Sequence, residues 1–225
     1  METATNCASI PHIIRNSSSG FDVIRGCQPY NILVKLSEKA VRCFEVTSDG
    51  RYIVWTDDDF RGIKVMDLEL LKVVQCIKSG SKPHHLKLSP LGSHLAIWFQ
   101  FKSVPKESSE EPNLWIIDLK ASLEESSSES DPIELEKLPI KGKFVAKSNS
   151  RWCPEWSDDE KISIRQFHSE IHCFENHEYN RWIHKTNQVK VSSASIKRNL
   201  LDGKYHIAIF TVGTKGQPGF VKIFR

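Results

Sequence analysis

The 225-residue chain lacks most of the short signals that mark catalytic or membrane proteins. It has no run of about 18 apolar residues, and its N-terminus has no basic patch followed by an apolar core, so neither a spanning helix nor a secretory leader is read from it. There is no phosphate-cradling loop: Gly213-Thr214-Lys215-Gly216 has the residue types without the spacing or a following helix. There is no Gly-x-Ser-x-Gly elbow and no serine, histidine and aspartate set in a recognisable context, so the chain is expected not to be an enzyme and to need no cofactor. The six cysteines (Cys7, Cys27, Cys43, Cys76, Cys153, Cys173) lie far apart with no Cys-x-x-Cys pair, which reads as reduced thiols in a cytoplasmic protein. A net charge of +3 is too small to argue for a partner by itself.

What is present is alternation of period two, broken by Gly, Pro, Asp and Ser every ten or so residues, the pattern of an all-β protein. The pattern repeats. Cys43-Phe44-Glu45-Val46-Thr47-Ser48-Asp49-Gly50 leads into Tyr52-Ile53-Val54-Trp55, then Gly62 to Leu68, then Val73 to Ile77. A second copy runs Leu86-Lys87-Leu88-Ser89-Pro90-Leu91-Gly92, His94 to Trp98 and Leu114 to Leu119. A third begins at Trp156-Ser157-Asp158-Asp159, with a polar hairpin at Phe167-His168-Ser169, and a divergent fourth near Val191. Ser48 to Ser89 is 41 positions, the size of a four-stranded propeller blade of about 40–45 residues. Asp67 and Asp118, each closing a third strand, are placed to accept hydrogen bonds in the following turn.

The expected fold is therefore a WD40-like β-propeller with about four to five blades present. Residues 1–20 are expected to be a disordered N-terminus and 21–225 a partial propeller, in which Val23–Gly26 and Ile32–Leu36 form an extra blade or complete a neighbouring one. Ser89 to Ser157 spans 68 positions, so the second repeat carries insertions, placed near 102–112 and 121–132, where Ser, Glu and Pro leave little to pack. So few blades would leave two long sheet edges unpaired, so the chain is expected to be an incomplete part of a larger propeller: a fragment, a short isoform or an incomplete gene model.

Charge is unevenly distributed. From Glu107 to Glu136 there are ten acids and one Lys; from Lys137 to Arg151 there are five basic residues and no acid. Lys141, Lys143, Lys147 and Arg151, together with Lys197, Arg198 and Lys204, are the candidates for RNA contact, with Trp152, Tyr179 and Trp182 interspersed for base stacking. The bland alternative is solvated loop faces with the rings in the core. His84-His85 with His94 nearby is set aside as a metal site, because adjacent strand residues point to opposite faces and no Cys or carboxylate lies at ligand spacing. Cys153 and Cys173 with His168 and His172 are read as packing, and no metal ligand is assigned.

Two strings are more specific than any propeller turn. Trp152-Cys153-Pro154-Glu155-Trp156-Ser157 and Gly213-Thr214-Lys215-Gly216-Gln217-Pro218-Gly219-Phe220-Val221, supported by Lys204-Tyr205-His206-Ile207-Ala208-Ile209-Phe210 and Val46-Thr47-Ser48-Asp49-Gly50, resemble the eukaryotic translation initiation factor 2A family. This is the single-chain factor associated with initiator tRNA, not the alpha subunit of heterotrimeric factor 2. The resemblance covers most of the chain from about Phe21 onwards. It implies a propeller of about nine blades followed by a helical, charged C-terminal region. It also implies binding to the small (40S) ribosomal subunit and codon-dependent, GTP-independent delivery of methionyl initiator tRNA to selected mRNAs. Contacts with mRNA and other initiation factors would lie in that C-terminal region, and no membrane is involved. The resemblance does not carry the basic candidates over; they rest on charge alone. The acidic insertion departs from the family pattern and would repel phosphate. The alternative is a non-catalytic protein-interaction propeller, similar to the propeller subunit of initiation factor 3. A hydrolase gated by a propeller would need catalytic residues that the sequence does not display.

Overall fold

Among the described residues, alternating apolar positions build nineteen strands, with one short α-helix and one 3-10 turn of helix (Leu135–Lys137). The structure is a computed structural model that describes residues 11–225 apart from 59–60, 104–108, 126–130, 148–151, 168, 180, 188–190, 214–215 and 217. The first sheet joins β1 (His12–Ser17), β2 (Gly20–Arg25) and β3 (Ile32–Ser37) in an antiparallel meander. The second holds β4 (Phe44–Val46), β5 (Tyr52–Asp57), β6 (Gly62–Asp67) and β7 (Lys72–Lys78). The third begins with β8 (His85–Leu88), β9 (His94–Trp98) and β10 (Leu114–Asp118). The chain then forms α1 (Leu119–Glu125), sends β11 (Ile133–Glu134) back to pair in parallel with β7, and returns as β12 (Ile140–Phe144) to complete the third sheet against β10. The fourth contains β13 (Glu155–Trp156), β14 (Ile162–Gln166), β15 (Glu170–Glu175) and β16 (His184–Asn187), and the fifth β17 (Val191–Arg198), β18 (Tyr205–Thr211) and β19 (Phe220–Phe224).

These sheets pack face to face, and the core lies between them. Strand β9 is buried along its whole length because it serves two layers: Leu95 and Ile97 join Val54, Ile63, Val65 and Ile77 of the second sheet, while Ala96 and Trp98 join Trp156, Phe174 and Tyr179 of the fourth. Phe21 and Val23 meet Ile53 and Trp55 at the first joint, and Ile164 and Ile171 meet Val191, Ile196 and Ile209 at the last. Side chains on a strand alternate faces, so one run of apolar residues supplies both neighbours. Successive meanders stacked in this way are the blades of a β-propeller-like fold, five sheets where about four to five blades were expected.

Two expectations are corrected. The first ordered strand begins at His12, inside the segment expected to be a disordered N-terminus. Ile14 packs against the first joint, and Arg15 bonds the fully buried Asp22 across the hairpin, which holds β1 in place. The insertion at 121–132 also packs in part. Ser122 is buried on α1 and its hydroxyl accepts a hydrogen bond from Gln75 Nε2 at 2.6 Å, and Leu123 packs on the joint between the second and third sheets. Among the described residues no helix is long and apolar enough to cross a membrane.

Candidate functional site

The turn joining the first two strands of a blade is built on one frame in three consecutive blades. Thr47, Ser89 and Ser157 each accept, on the backbone carbonyl, the N–H three residues on (Gly50, Gly92, Glu160; 2.8, 2.9 and 2.9 Å). Their hydroxyls accept the N–H of the residue that opens the second strand: Tyr52 at 2.9 Å, His94 at 2.9 Å and Ile162 at 3.1 Å. In the first and third turns the hydroxyl also donates to an aspartate, Thr47 to Asp49 at 2.6 Å and Ser157 to Asp159 at 2.7 Å. The Thr47-x-Asp49 and Ser157-x-Asp159 spacings are therefore hydrogen-bonding devices, and the residue equivalent to Ser89 and Ser157 is Thr47 rather than Ser48. Asp67 and Asp118 behave as expected, Asp67 accepting the N–H groups of Glu69 and Leu70 and Asp118 that of Ala121.

The fourth position of the frame is left-handed each time. Gly50 and Gly92 hold it at φ +73°; the fourth sheet puts Glu160 there at φ +57°. A non-glycine residue is strained in that region. The side chain has a use that glycine lacks. Glu160 is 5% exposed and its carboxylate reaches the preceding blade, accepting the Leu91 N–H at 2.6 Å and the Ser93 hydroxyl. Burial alone would raise its pKa, but the adjacent His94 ring, the Ser89 and Ser93 hydroxyls and the Leu91 N–H outweigh it and hold the carboxyl at about 2.

Beside it lie two imidazoles. His94, at the start of β9, has Nδ1 3.9 Å from the Glu160 carboxylate and 2.7 Å from Ser93 Oγ. His177, in the loop after β15, stacks on His94 with ring centroids 3.5 Å apart. One donor atom from each of His94, Glu160 and His177 lies within 4.8 Å of the other two. Asn176 and His177 are consecutive left-handed residues (φ +49° and +59°). Burial, then the neighbouring His94, pushes His177 down to about 4, so it is neutral at pH 7. The expectation that His94 has no carboxylate at ligand spacing is therefore corrected: the fold supplies Glu160 and His177 from the next blade. The signal was in the sequence, as a Glu where the repeat puts Gly.

His84 and His85 do not join this cluster. His85 stacks on Trp152 (5.7 Å, 16°), and His84 Nδ1 lies 3.1 Å from Arg42 Nη1. The Trp152–Ser157 string acts in packing. Trp152 and Cys153 lie against the core between the third and fourth sheets, and Trp156, 5% exposed, donates its indole N–H to the Tyr179 hydroxyl at 2.9 Å. Burial raises the Cys153 thiol and pushes Cys173 up to about 11, so both are protonated at neutral pH. His168 lies outside the described residues.

The basic candidates are dispersed and mostly partnered. Lys141 pairs with Asp118 at 3.5 Å, Lys143 Nζ sits 3.9 Å over the Trp115 ring, and Lys147 pairs with Glu110 at 2.5 Å. Lys197 pairs with Asp158, and Arg198 lies 3.7 Å from Asp159, both across the joint between the fourth and fifth sheets. Lys204 is exposed in the turn between β17 and β18, near Arg198, which pairs in register with Tyr205. Arg151 lies outside the described residues. Among the expected stacking rings, Tyr179 is buried and Trp152 half-buried, whereas Trp182 is 51% exposed with Lys185 Nζ 5.9 Å from its ring.

Stacked meanders of three to five strands, joined by cross-blade polar contacts at their turns, define a β-propeller-like protein. No family model matches the sequence. Among curated proteins, eukaryotic translation initiation factor 2A of Drosophila melanogaster is 24% identical over 194 residues, covering 83% of this chain and 28% of that protein. The chain thus spans less than a third of the length of that relative. A solved crystal structure of a eukaryotic initiation factor aligns with a TM-score of 0.70 at 16% identity, over 94% of this chain and 48% of that one. KlHsv2 with loop 6CD replaced by a Gly-Ser linker aligns with a TM-score of 0.50 at 11% identity, over 95% of this chain and 67% of that one. At these identities the solved structures speak for the fold; the Drosophila protein adds a distant sequence likeness to a translation initiation factor.

Proposed function

We propose that this chain is propeller blades of a cytoplasmic translation initiation factor of the 2A type, acting without a catalytic step. In this reading it docks on the small (40S) ribosomal subunit and assists codon-dependent, GTP-independent delivery of methionyl initiator tRNA to selected mRNAs. The observation that carries it is the 24% identity, along 83% of the chain, to a relative of that name, beside the Trp152–Ser157 and Gly213–Val221 strings that resemble the same family. Contacts to mRNA and to other initiation factors are assigned to segments beyond the part of the relative that this chain spans.

The chemistry of docking is electrostatic. Lys141, Lys197 and Arg198 are exposed residues in ion pairs, so phosphate oxygens can replace Asp118, Asp158 and Asp159 at modest cost. Trp182 offers the exposed ring for a base, with Lys185 beside it.

The same pairing favours a second reading, a non-catalytic scaffold that binds proteins through its rim, because charges already neutralised within the chain draw phosphate weakly. Co-sedimentation with purified 40S subunits over a salt series separates the two. The initiation-factor reading expects binding that falls steeply with salt and whose salt slope flattens when Lys143→Glu and Lys147→Glu are combined. Binding with a shallow slope indifferent to both changes indicates a protein-docking scaffold. No binding by a folded chain overturns ribosome docking by these blades.

A further inference from the structure

The structure assigns to the joint between the third and fourth blades a site for a transition-metal ion of the zinc type, with His94, Glu160 and His177 as ligands. The donor set is two imidazoles and a carboxylate, the chemistry that suits zinc, cobalt or nickel rather than calcium or magnesium.

Proton bookkeeping supports the assignment. Ser93 has one hydroxyl hydrogen, and the ionised Glu160 carboxylate, which can only accept, takes it. His94 must then donate its Nδ1–H to Ser93 Oγ at 2.7 Å, which leaves Nε2 as a bare lone pair. His94 is 5% exposed, and its Nε2 has no hydrogen-bond partner. A buried acceptor without a donor is costly. A cation is the natural complement of that lone pair, with the Glu160 carboxylate and the His177 ring beside it.

The backbone bears the same signature. Glu160 occupies a position its two counterpart turns give to glycine, and Asn176 and His177 are both left-handed. Three non-glycine residues in that region at one joint mark strain held for a purpose. Leu91 N–H and Ser93, which orient the carboxylate and tether His94, are the outer partners that metal ligands ordinarily have. With metal–donor distances of about 2.0–2.2 Å, donors on a tetrahedral ion stand roughly 3.4 Å apart. The observed 4.8 Å spread therefore closes by side-chain rotation, with the imidazoles turning out of their stack. Lys141, whose charge acts on His177, is paired with Asp118. The ion would staple blade three to blade four.

The test is titration of the chelator-stripped chain with Zn²⁺ by calorimetry, and with Co²⁺ by visible absorption. The expected result is saturable uptake of a single ion, with the intense d–d bands of a four-coordinate site. His177→Ala should abolish both signals while circular dichroism shows the fold retained. Ser93→Ala, which keeps all three ligands but removes their tether, should weaken binding by about 10–100-fold, and it is the deciding variant if His177→Ala does not fold. Absence of uptake by the folded chain, or uptake unchanged in both variants, overturns the assignment.

Discussion

The carboxylate of Glu160 accepts the backbone N–H of Leu91 at 2.6 Å, and the two residues belong to neighbouring blades. Glu160→Ala should leave the Leu91 N–H and the Ser93 hydroxyl without a partner, at a cost of about 1–3 kcal/mol. Glu160→Gly should cost about 1 kcal/mol less than Ala, because glycine accepts φ +57° freely. Urea unfolding of both variants checks this. Equal values would show that the left-handed backbone stores no strain, and no loss in either would show that the contact does not clasp the blades.

The two turn glycines should respond differently to the same change. A Cβ on Gly50 meets nothing within 4 Å, so Gly50→Ala should cost about 1 kcal/mol from backbone strain alone. A Cβ on Gly92 lies 2.5 Å from Thr47 Cγ2 of the preceding blade, adding a clash of about 1–3 kcal/mol. Thr47→Ser removes that methyl and keeps the hydroxyl, so it should restore most of the Gly92→Ala deficit. Thermal unfolding of the three variants and the double variant measures the rescue.

Tyr179→Phe should strand the buried Trp156 indole N–H and destabilise the chain by about 1–3 kcal/mol. Trp156→Ala should cost more, about 3–5 kcal/mol, because it empties part of the core between the third and fourth blades. Chemical denaturation ranks the two; the reverse order would mean that the hydrogen bond, not the packing, dominates.

The turn aspartates should shape the acid limb of stability. Burial works to raise Asp49 and Asp159, but hydrogen bonds from the Thr47 hydroxyl and Arg51 N–H, and from the Ser157 and Tyr205 hydroxyls, outweigh it and hold both below the usual carboxylate range. A folded pKa below the unfolded value gives stability that is full above the unfolded value, about 3.9, and is lost as pH falls through the lowered folded values. Asp49→Asn with Asp159→Asn should therefore lower stability at pH 7 and flatten its decline below about pH 4. Urea midpoints across that range test it, an unchanged slope counting against both residues.

The blade grammar was legible because a serine-led polar turn and an alternating strand are local chemistry. Thr47, Ser89 and Ser157 mark their turns with the hydroxyls that tie them. Less legible was anything that depends on a neighbour. Strand β1 has too few apolar residues to read as a strand and owes its place to pairing with β2. The return of Ile133–Glu134 to β7 is a parallel pairing between blades, which no local pattern encodes. His94, Glu160 and His177 come from three stretches of chain, and only the departure of Glu160 from the glycine position hinted at their meeting. The basic candidates were legible as charge, but their partners, such as Asp118 for Lys141 and Asp158 for Lys197, belong to other strands or blades.

Strand β9 gives Leu95 and Ile97 to one layer and Ala96 and Trp98 to the next, so no blade owns a core. Free energy is then stored per joint rather than per blade, as in a one-dimensional chain of nearest-neighbour couplings. Unfolding should proceed by loss of whole joints from the ends inward, and a substitution in β9 should be felt in two directions at once. Amide exchange should therefore be slowest in β9 and β6, strands with a joint on either face, and fastest in β1 and β19.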